Sequence, residues 1–417
     1  MHYLSDFDGC VGRPASQKQI KEEKLKWLFN LLYEAGEMAR ADLARVTGLS
    51  PTTISALVDE LIRKGLVVEA GFASTVQGGR KPINLRVNAQ GRQIPTFTLH
   101  RWGLRFELYN LGMEVIEAFE VRFSPEEQAQ VEESCIAQIQ RVLFRQSTRF
   151  DWRIAAGVCI CVPGIYQPDC RAFVLWADEA QLRLDRLQTL EQELQLPLFI
   201  GNESQCLAYA EVQIGKSECA WNDSLLYVIV SEQVESCLYV NNDIYTGRDN
   251  YAGRLGHISI NYKGKLCSCG GRGCLERYVN IHAILERIAQ AAAFSRCPAL
   301  DRLTGGDMHH LTLQMIGRSY DAGEPAVQEA MDDVAEQLFT GIYALVCATG
   351  VGRIVLGGDI VQLGTGFLER LRAFCGRVKG SHLLQGITVD YSRVGLEDCS
   401  SGMVRYFINR RLEIGRS

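Results

Sequence analysis

The chain has 417 residues, a formal net charge of −5 and a hydrophobic fraction of 47%, enough apolar material for more than one core and for two or three folding units. It has no run of about 18 apolar residues, and its polar start, MHYLSDFDGC, lacks the basic and apolar regions of a secretion signal, so a cytoplasmic protein with no membrane partner is expected. The negative charge gives no general attraction to nucleic acid, so any such contact needs a locally basic element, and 15 cysteines, an odd number, fit a reducing compartment better than a disulfide framework.

Residues 1–20 hold Gly, Pro and Ser without periodicity and read as a mobile leader. From Lys21 onward, Leu25, Leu28, Phe29 and Leu32 fall at helical spacing, which predicts an amphipathic helix ending near Gly36. Between Arg40 and Lys64, Ala44, Gly48, Ile54 and Leu57 stand where a helix-turn-helix needs a small residue, a turn and two anchors. Ser50 is a natural N-cap and Pro51 a natural first helical residue, so Thr52, Thr53, Ser55, Ala56 and Asp59 are expected to face outward. The segment GLVVEAGFASTVQGGRKPINLRVN then reads as two strands around a Gly-Gly-Arg-Lys-Pro tip, the wing of a winged helix. Residues 21–92 thus form a candidate DNA-binding module. Ser50, Thr52, Thr53, Ser55 and Ala56 would meet base edges, and Arg80 and Lys81 would meet phosphates or the minor groove. Asp59 and Glu60 restrict base reading to the N-terminal half of the second helix.

From residue 93 the pattern changes to alternating strands and helices, an α/β domain over 93–417. PTFTLHRWGLRFELYNL reads as a hairpin, residues 125–146 as a helix, and IAAGVCICVPGIY as a buried strand and turn. SLLYVIVSEQ reads as a second buried strand, RIVLGGD as a strand entering a helix, and 401–412 as a closing helix. His309 and His310 read as surface residues.

Within GHISINYKGKLCSCGGRGCLERY, His257, Cys267, Cys269 and Cys274 offer one imidazole and three thiols at spacings suited to a tetrahedral zinc ion. Four nitrogen and sulfur donors fill the coordination shell, which points to a closed, structural zinc rather than a catalytic one.

The stretch CSCGGRGCLE fits the CxCGxxGCxE signature of the ROK family of sugar kinases and transcriptional repressors. GH at 256–257, IGNES at 200–204, CVPG at 161–164 and IVLGGD at 354–359 resemble further landmarks of that family in the same order. The resemblance implies a two-lobed, actin- and hexokinase-like domain behind the winged helix, and the basic wing is similar to that of ROK repressors. In the kinases of the family, two glycine-rich turns cradle ATP phosphates, but here the corresponding turns read LHRWG and SEQVESC. Bulky side chains block backbone amides from phosphate, and a carboxylate about 4 Å from a phosphate costs roughly 1 to 4 kcal/mol.

The family's Asn-Asp pair appears as Asn202-Glu203, whose extra methylene displaces the base by about an ångström. No catalytic activity is therefore expected. Of the family's sugar contacts, Asn202, His257 and Glu276 are matched, whereas Arg254 replaces the glutamate of ExGH. Arg254 either favours an anionic sugar derivative over a neutral sugar or pairs with an acid such as Glu203. The resulting reading is a zinc-containing repressor that binds operator DNA as a homodimer or homotetramer and whose degenerate kinase-like domain senses a sugar or an anionic sugar derivative. Two alternatives stand beside it: a sugar kinase with an appended DNA-binding domain, and a regulator with an inert cleft controlled by a protein partner.

Overall fold

The computed structural model describes residues 2–3, 17–72, 83–167, 170–176, 180–216, 224–377 and 386–412. The chain divides into two compact units, one of residues 1–161, 185–201 and 404–417, the other of residues 162–184 and 202–403.

The first unit begins with helix Gln17–Ala35, which buries Leu25, Leu28, Phe29 and Leu32. The segment read as a leader through residue 20 is thus helical from Gln17, and His2–Tyr3 pair in parallel with Phe199 and Ile200. Gly36, at φ 76°, ends the helix and donates to the Leu32 carbonyl. Helices Arg40–Thr47 and Pro51–Arg63 follow. Gly48 joins them at φ 69°, and its N–H reaches the Ala44 carbonyl at 2.9 Å. Ser50 caps the second helix by accepting from the Thr53 N–H at 3.1 Å, and Ile54, Leu57, Val58 and Leu61 bury its inner face. Strand Ile83–Val87 lies between Glu37–Ala39 and Val67–Phe72, antiparallel to both, so the wing strands appear where the β-rich runs place them. The wing tip with Arg80 and Lys81 lies outside the described residues.

Behind this head, a sheet runs in the order His2–Tyr3, Leu198–Asn202, Val158–Val162, Gln93–His100, Gly103–Asn110, Val115–Arg122. The expected hairpin is present, with His100 opposite Gly103, and Val158–Val162 is buried throughout. The single helix expected over 125–146 is instead two helices, Pro125–Ala129 and Val131–Arg141, parted at Gln130 and continued by a π-helical turn, Val142–Gln146. The first helix of the chain leans on the end of the same unit. Lys26 donates to the Arg410 carbonyl, Asn30 donates to the Asn409 carbonyl at 3.1 Å, and the Arg405 guanidinium lies 5.4 Å from the centre of the Tyr33 ring.

In the second unit a five-stranded sheet runs in the order Asp243–Tyr245, Val234–Val240, Ser224–Val230, Arg353–Gly357, Thr388–Tyr391. Helix Pro325–Thr349 contributes Val334, Ala335, Leu338 and Ile342 to its core. RIVLGGD enters a short 3₁₀ turn, Asp359–Leu363, before helix Thr365–Arg377, and does not lead straight into an α-helix. Gly358 and Gly364, at φ 81° and 80°, bracket that turn, and the Ser231 hydroxyl accepts the Asp359 N–H at 3.0 Å.

The Ser50 cap satisfies a helix-end donor that alanine leaves to solvent. Ser50→Ala should therefore lower stability by about 1 kcal/mol and Ser50→Gly by only a few tenths, as measured by urea unfolding of the full chain.

Candidate metal centre, polar cluster and DNA-binding face

Strand Val234–Val240 carries the loop that builds the candidate metal centre. A Cβ on Gly253 would lie 2.6 Å from the Ser236 carbonyl oxygen, and one on Gly256 2.3 Å from the Val234 carbonyl oxygen. Only glycine lets the loop lie this close to the strand, and the approach fixes the 3₁₀ turn Leu255–His257. Downstream, Ser259 bridges to Cys274 and Leu266 to Arg272, while Leu275 N–H donates to the Ile258 carbonyl at 2.9 Å. Gly273, at φ 69°, has the Asn261 carbonyl oxygen 1.6 Å from where a Cβ would stand.

These constraints converge His257, Cys267, Cys269 and Cys274, whose ligand atoms all lie within 4.8 Å of one another. His257 Nδ1 is 3.7 Å from Cys267 Sγ, and Cys269 Sγ is 3.6 Å from Cys274 Sγ. A tetrahedral ion with metal–sulfur bonds of about 2.3 Å and metal–nitrogen bonds of about 2.0–2.1 Å holds its ligand atoms roughly 3.5–3.8 Å apart, so the donor set fits such an ion. Burial and the neighbouring thiols push the Cys274 thiol up to about 12. A divalent cation reverses that preference by binding thiolate.

The sugar-contact candidates of the second unit lie around the same strand. Asn202 Oδ1 accepts from the Gln205 N–H at 3.0 Å and the Ser204 hydroxyl at 3.1 Å, at the start of helix Glu203–Lys216. Glu276 accepts the Val234 N–H at 3.1 Å. Arg254 is not a free cation: it donates to the Tyr166 carbonyl at 3.0 Å, and its guanidinium lies 4.2 Å from the centre of the Tyr251 ring. Burial lowers its pKa, opposed by Tyr251, then Cys269, then Glu235; Glu203 is not among the acids that act on it. Glu235 is 7% exposed, and burial, then Glu203 and Glu276, push its carboxyl up to about 8. Burial and Asp359 push Glu203 up to about 7. Glu235 and Asp359 were not singled out as contacts from sequence, since strand Val234–Val240 is buried at six of its seven positions and shows no alternation to mark an inward carboxylate.

Neither phosphate turn is open. The rings of His100 and Trp102 stack at 4.8 Å and 10°, with the Arg122 guanidinium 5.2 Å from the Trp102 ring centre. Ser231–Gln233 closes as a tight hairpin, with Ser231 N–H donating to the Gln233 carbonyl at 3.0 Å. On the head, Ser50, Thr52 and Ala56 are exposed, and Thr53 and Ser55 are half-buried on the same helix. The acids behind them are engaged. Arg40 pairs with Asp59 at 2.9 Å and donates to the Ser55 carbonyl at 3.3 Å, while Lys21 pairs with Glu60 at 2.5 Å. Asp59 and Glu60 thus hold the helix to its neighbours. His309 and His310 are exposed, and His310 pairs with Asp307 at 3.4 Å.

Residues 105–384 match the ROK family and residues 27–72 the MarR family. Among curated proteins, the chain is 26% identical to the xylose repressor of Caldicellulosiruptor bescii, over 80% of this chain and 82% of that protein. It is 24% identical to the DNA-binding transcriptional dual regulator NagC of Escherichia coli, over 84% and 85% of the two chains. Among solved structures, a ROK family transcriptional regulator described as a homolog of the E. coli MLC protein superposes with a TM-score of 0.78 at 21% identity, covering 95% of this chain and 97% of that one. A ROK family glucokinase from Streptomyces griseus, in complex with glucose and AMPPNP, superposes with a TM-score of 0.59 at 18% identity, covering 75% and 98%.

Two outcomes are expected from this geometry. The purified chain should carry one thiophilic divalent ion. Cobalt exchanged into the site should show the d–d bands of a tetrahedral thiolate complex, and Cys274→Ser should lose both bands and metal. Glu203 and Glu235 are acids whose folded pKa is raised, so the stability each contributes is complete below its unfolded value near 4.5 and is lost as pH rises through about 7 and about 8. Denaturant unfolding should therefore show stability falling across that window, with a flatter slope in Glu235→Gln.

Proposed function

The chain belongs to the ROK family, and on that premise we propose that it is a DNA-binding transcriptional regulator, a repressor of carbohydrate-related genes, and not an enzyme. The observation that carries this reading is the Gly48 turn followed by the Ser50 cap, which sets helix Pro51–Arg63 with Thr52 and Ala56 exposed beside a β wing. That is the arrangement by which a winged helix enters the major groove, with the N-terminal residues of the second helix at base edges. The head spans 21–92, with Ser50, Thr52, Thr53, Ser55 and Ala56 reading bases and Arg80 and Lys81 holding phosphate or minor groove. The large domain, 93–417, pairs the chains as a homodimer or homotetramer, so that two heads meet two half-sites of an operator.

The aromatic stack at His100 and Trp102 and the closed hairpin at 231–233 support a domain that has given up phosphoryl transfer. Asn202, Glu203, Arg254, His257 and Glu276 are the candidate contacts to a sugar-derived effector, and zinc on His257, Cys267, Cys269 and Cys274 holds the loop that carries Arg254. The protein works in the cytoplasm. Among the described residues, no helix is long and apolar enough to cross a membrane.

Fluorescence anisotropy on the DNA upstream of its own gene tests the reading. Binding should resist random competitor DNA and weaken with salt. Changing Arg80 and Lys81 together to Ala should reduce the slope of log K against log salt by about two, whereas Thr52→Ala should lower the preference for the site over random DNA. Equal affinity for upstream and random DNA would sink the proposal.

A further inference from the structure

The polar cluster around Glu235 has the marks of a ligand site whose chemistry differs from that suggested by Arg254 alone. Glu235 Oε2 and Arg254 Nε are both buried without a hydrogen-bond partner. They sit on the strand and loop that Gly253 and Gly256 press together, and they act on each other electrostatically. One orphan is an acceptor and the other a donor. A hydroxyl group answers both, since it donates one hydrogen bond and accepts others. Buried polar atoms of this kind call for a partner, because each costs about 1–3 kcal/mol when left unpaired. Glu203, Arg254, Glu276 and Asp359 around them are only half-buried, so a solute can reach the group.

The charges decide what kind of hydroxyl compound fits. Glu203, Glu235, Glu276 and Asp359 are four carboxyl groups, and Arg254, already on the Tyr166 carbonyl and the Tyr251 ring, is the cation facing them. Chelation of a metal by these acids is not indicated, because among the described residues only His257, Cys267, Cys269 and Cys274 bring three or more such ligand atoms within 4.8 Å of one another. A phosphate or sugar acid would add negative charge beside four acids.

We infer that this cluster binds a polyhydroxylated ligand bearing a free, protonated amine, an amino sugar, with Glu235 taking the ammonium group and Arg254 Nε donating to a hydroxyl. Burial and neighbouring acids raise the carboxyls of Glu203 and Glu235 even though Arg254 draws Glu235 down, so the group favours a further cation. The inference rests on the reading of the large domain as a carbohydrate sensor and narrows the ligand class.

Calorimetric titration of the full chain with glucosamine, galactosamine and mannosamine, each beside its N-acetylated form and its parent hexose, and with glucose 6-phosphate, tests it. One free amino sugar should bind at least about tenfold tighter than its N-acetylated and parent counterparts, and Glu235→Gln, with unchanged far-UV circular dichroism, should erase that difference. If Glu235→Gln fails to fold, the same comparison across ligands on the unaltered chain decides. A parent hexose, N-acetyl form or phosphate ester binding as tightly as the amine would overturn the amine assignment while leaving a carbohydrate sensor in place. No binding by any of these compounds would overturn both.

Discussion

The second unit is organised by the approach of one loop to one strand. At Gly253 and Gly256 the backbone lies so close to the Val234–Ser236 carbonyls that a single methyl group would collide with it. That contact delivers His257 to the cysteine loop and, three residues earlier, places Arg254 where it acts electrostatically on Glu235. The His/Cys donor cluster and the polar cluster are therefore two outcomes of one packing constraint. A thiolate-bound ion held by the four donors would add a bond-strength restraint to a position that van der Waals contact alone leaves softer. Glu276 ties the two together again: it follows Cys274 by two residues and accepts the Val234 N–H.

In the head the comparable constraint is charge paired between neighbouring helices at the surface. Arg40 spans from the start of its helix to Asp59 and to the Ser55 carbonyl, and Lys21 reaches Glu60 from the first helix. These exposed or half-exposed pairs are individually weak. Their geometric effect is larger, because they engage two acids that helical spacing places on the same side of the helix as Thr52 and Ala56.

Much of this was legible from sequence wherever a residue type has few conformational options. Gly48 and Ser50 announced the turn and cap because one tolerates positive φ and the other accepts a backbone N–H. The cysteine spacing announced the cluster of three thiols and an imidazole because few other arrangements bring such groups together. What escaped was contact between distant residues with ordinary side chains. Arg40 to Asp59, Arg254 to the Tyr166 carbonyl, and the stack of His100, Trp102 and Arg122 leave no local periodicity. In strand Val234–Val240 burial on both faces removes the alternation that would have flagged Glu235. Within the helix predicted over 125–146, Gln130 leaves helical geometry and a π turn absorbs an extra residue near its end.

The seat of the first helix has a temporal side. Lys26 and Arg410 are 384 positions apart in the chain, and Asn30 and Asn409 are 379 apart. On a ribosome, the helix that supports the head emerges early and waits for acceptors that are made almost a full chain length later. Contacts of such separation form late because loop closure has to precede them. A nascent or truncated chain therefore holds a first helix without the acceptors at Asn409 and Arg410 until synthesis has passed residue 410.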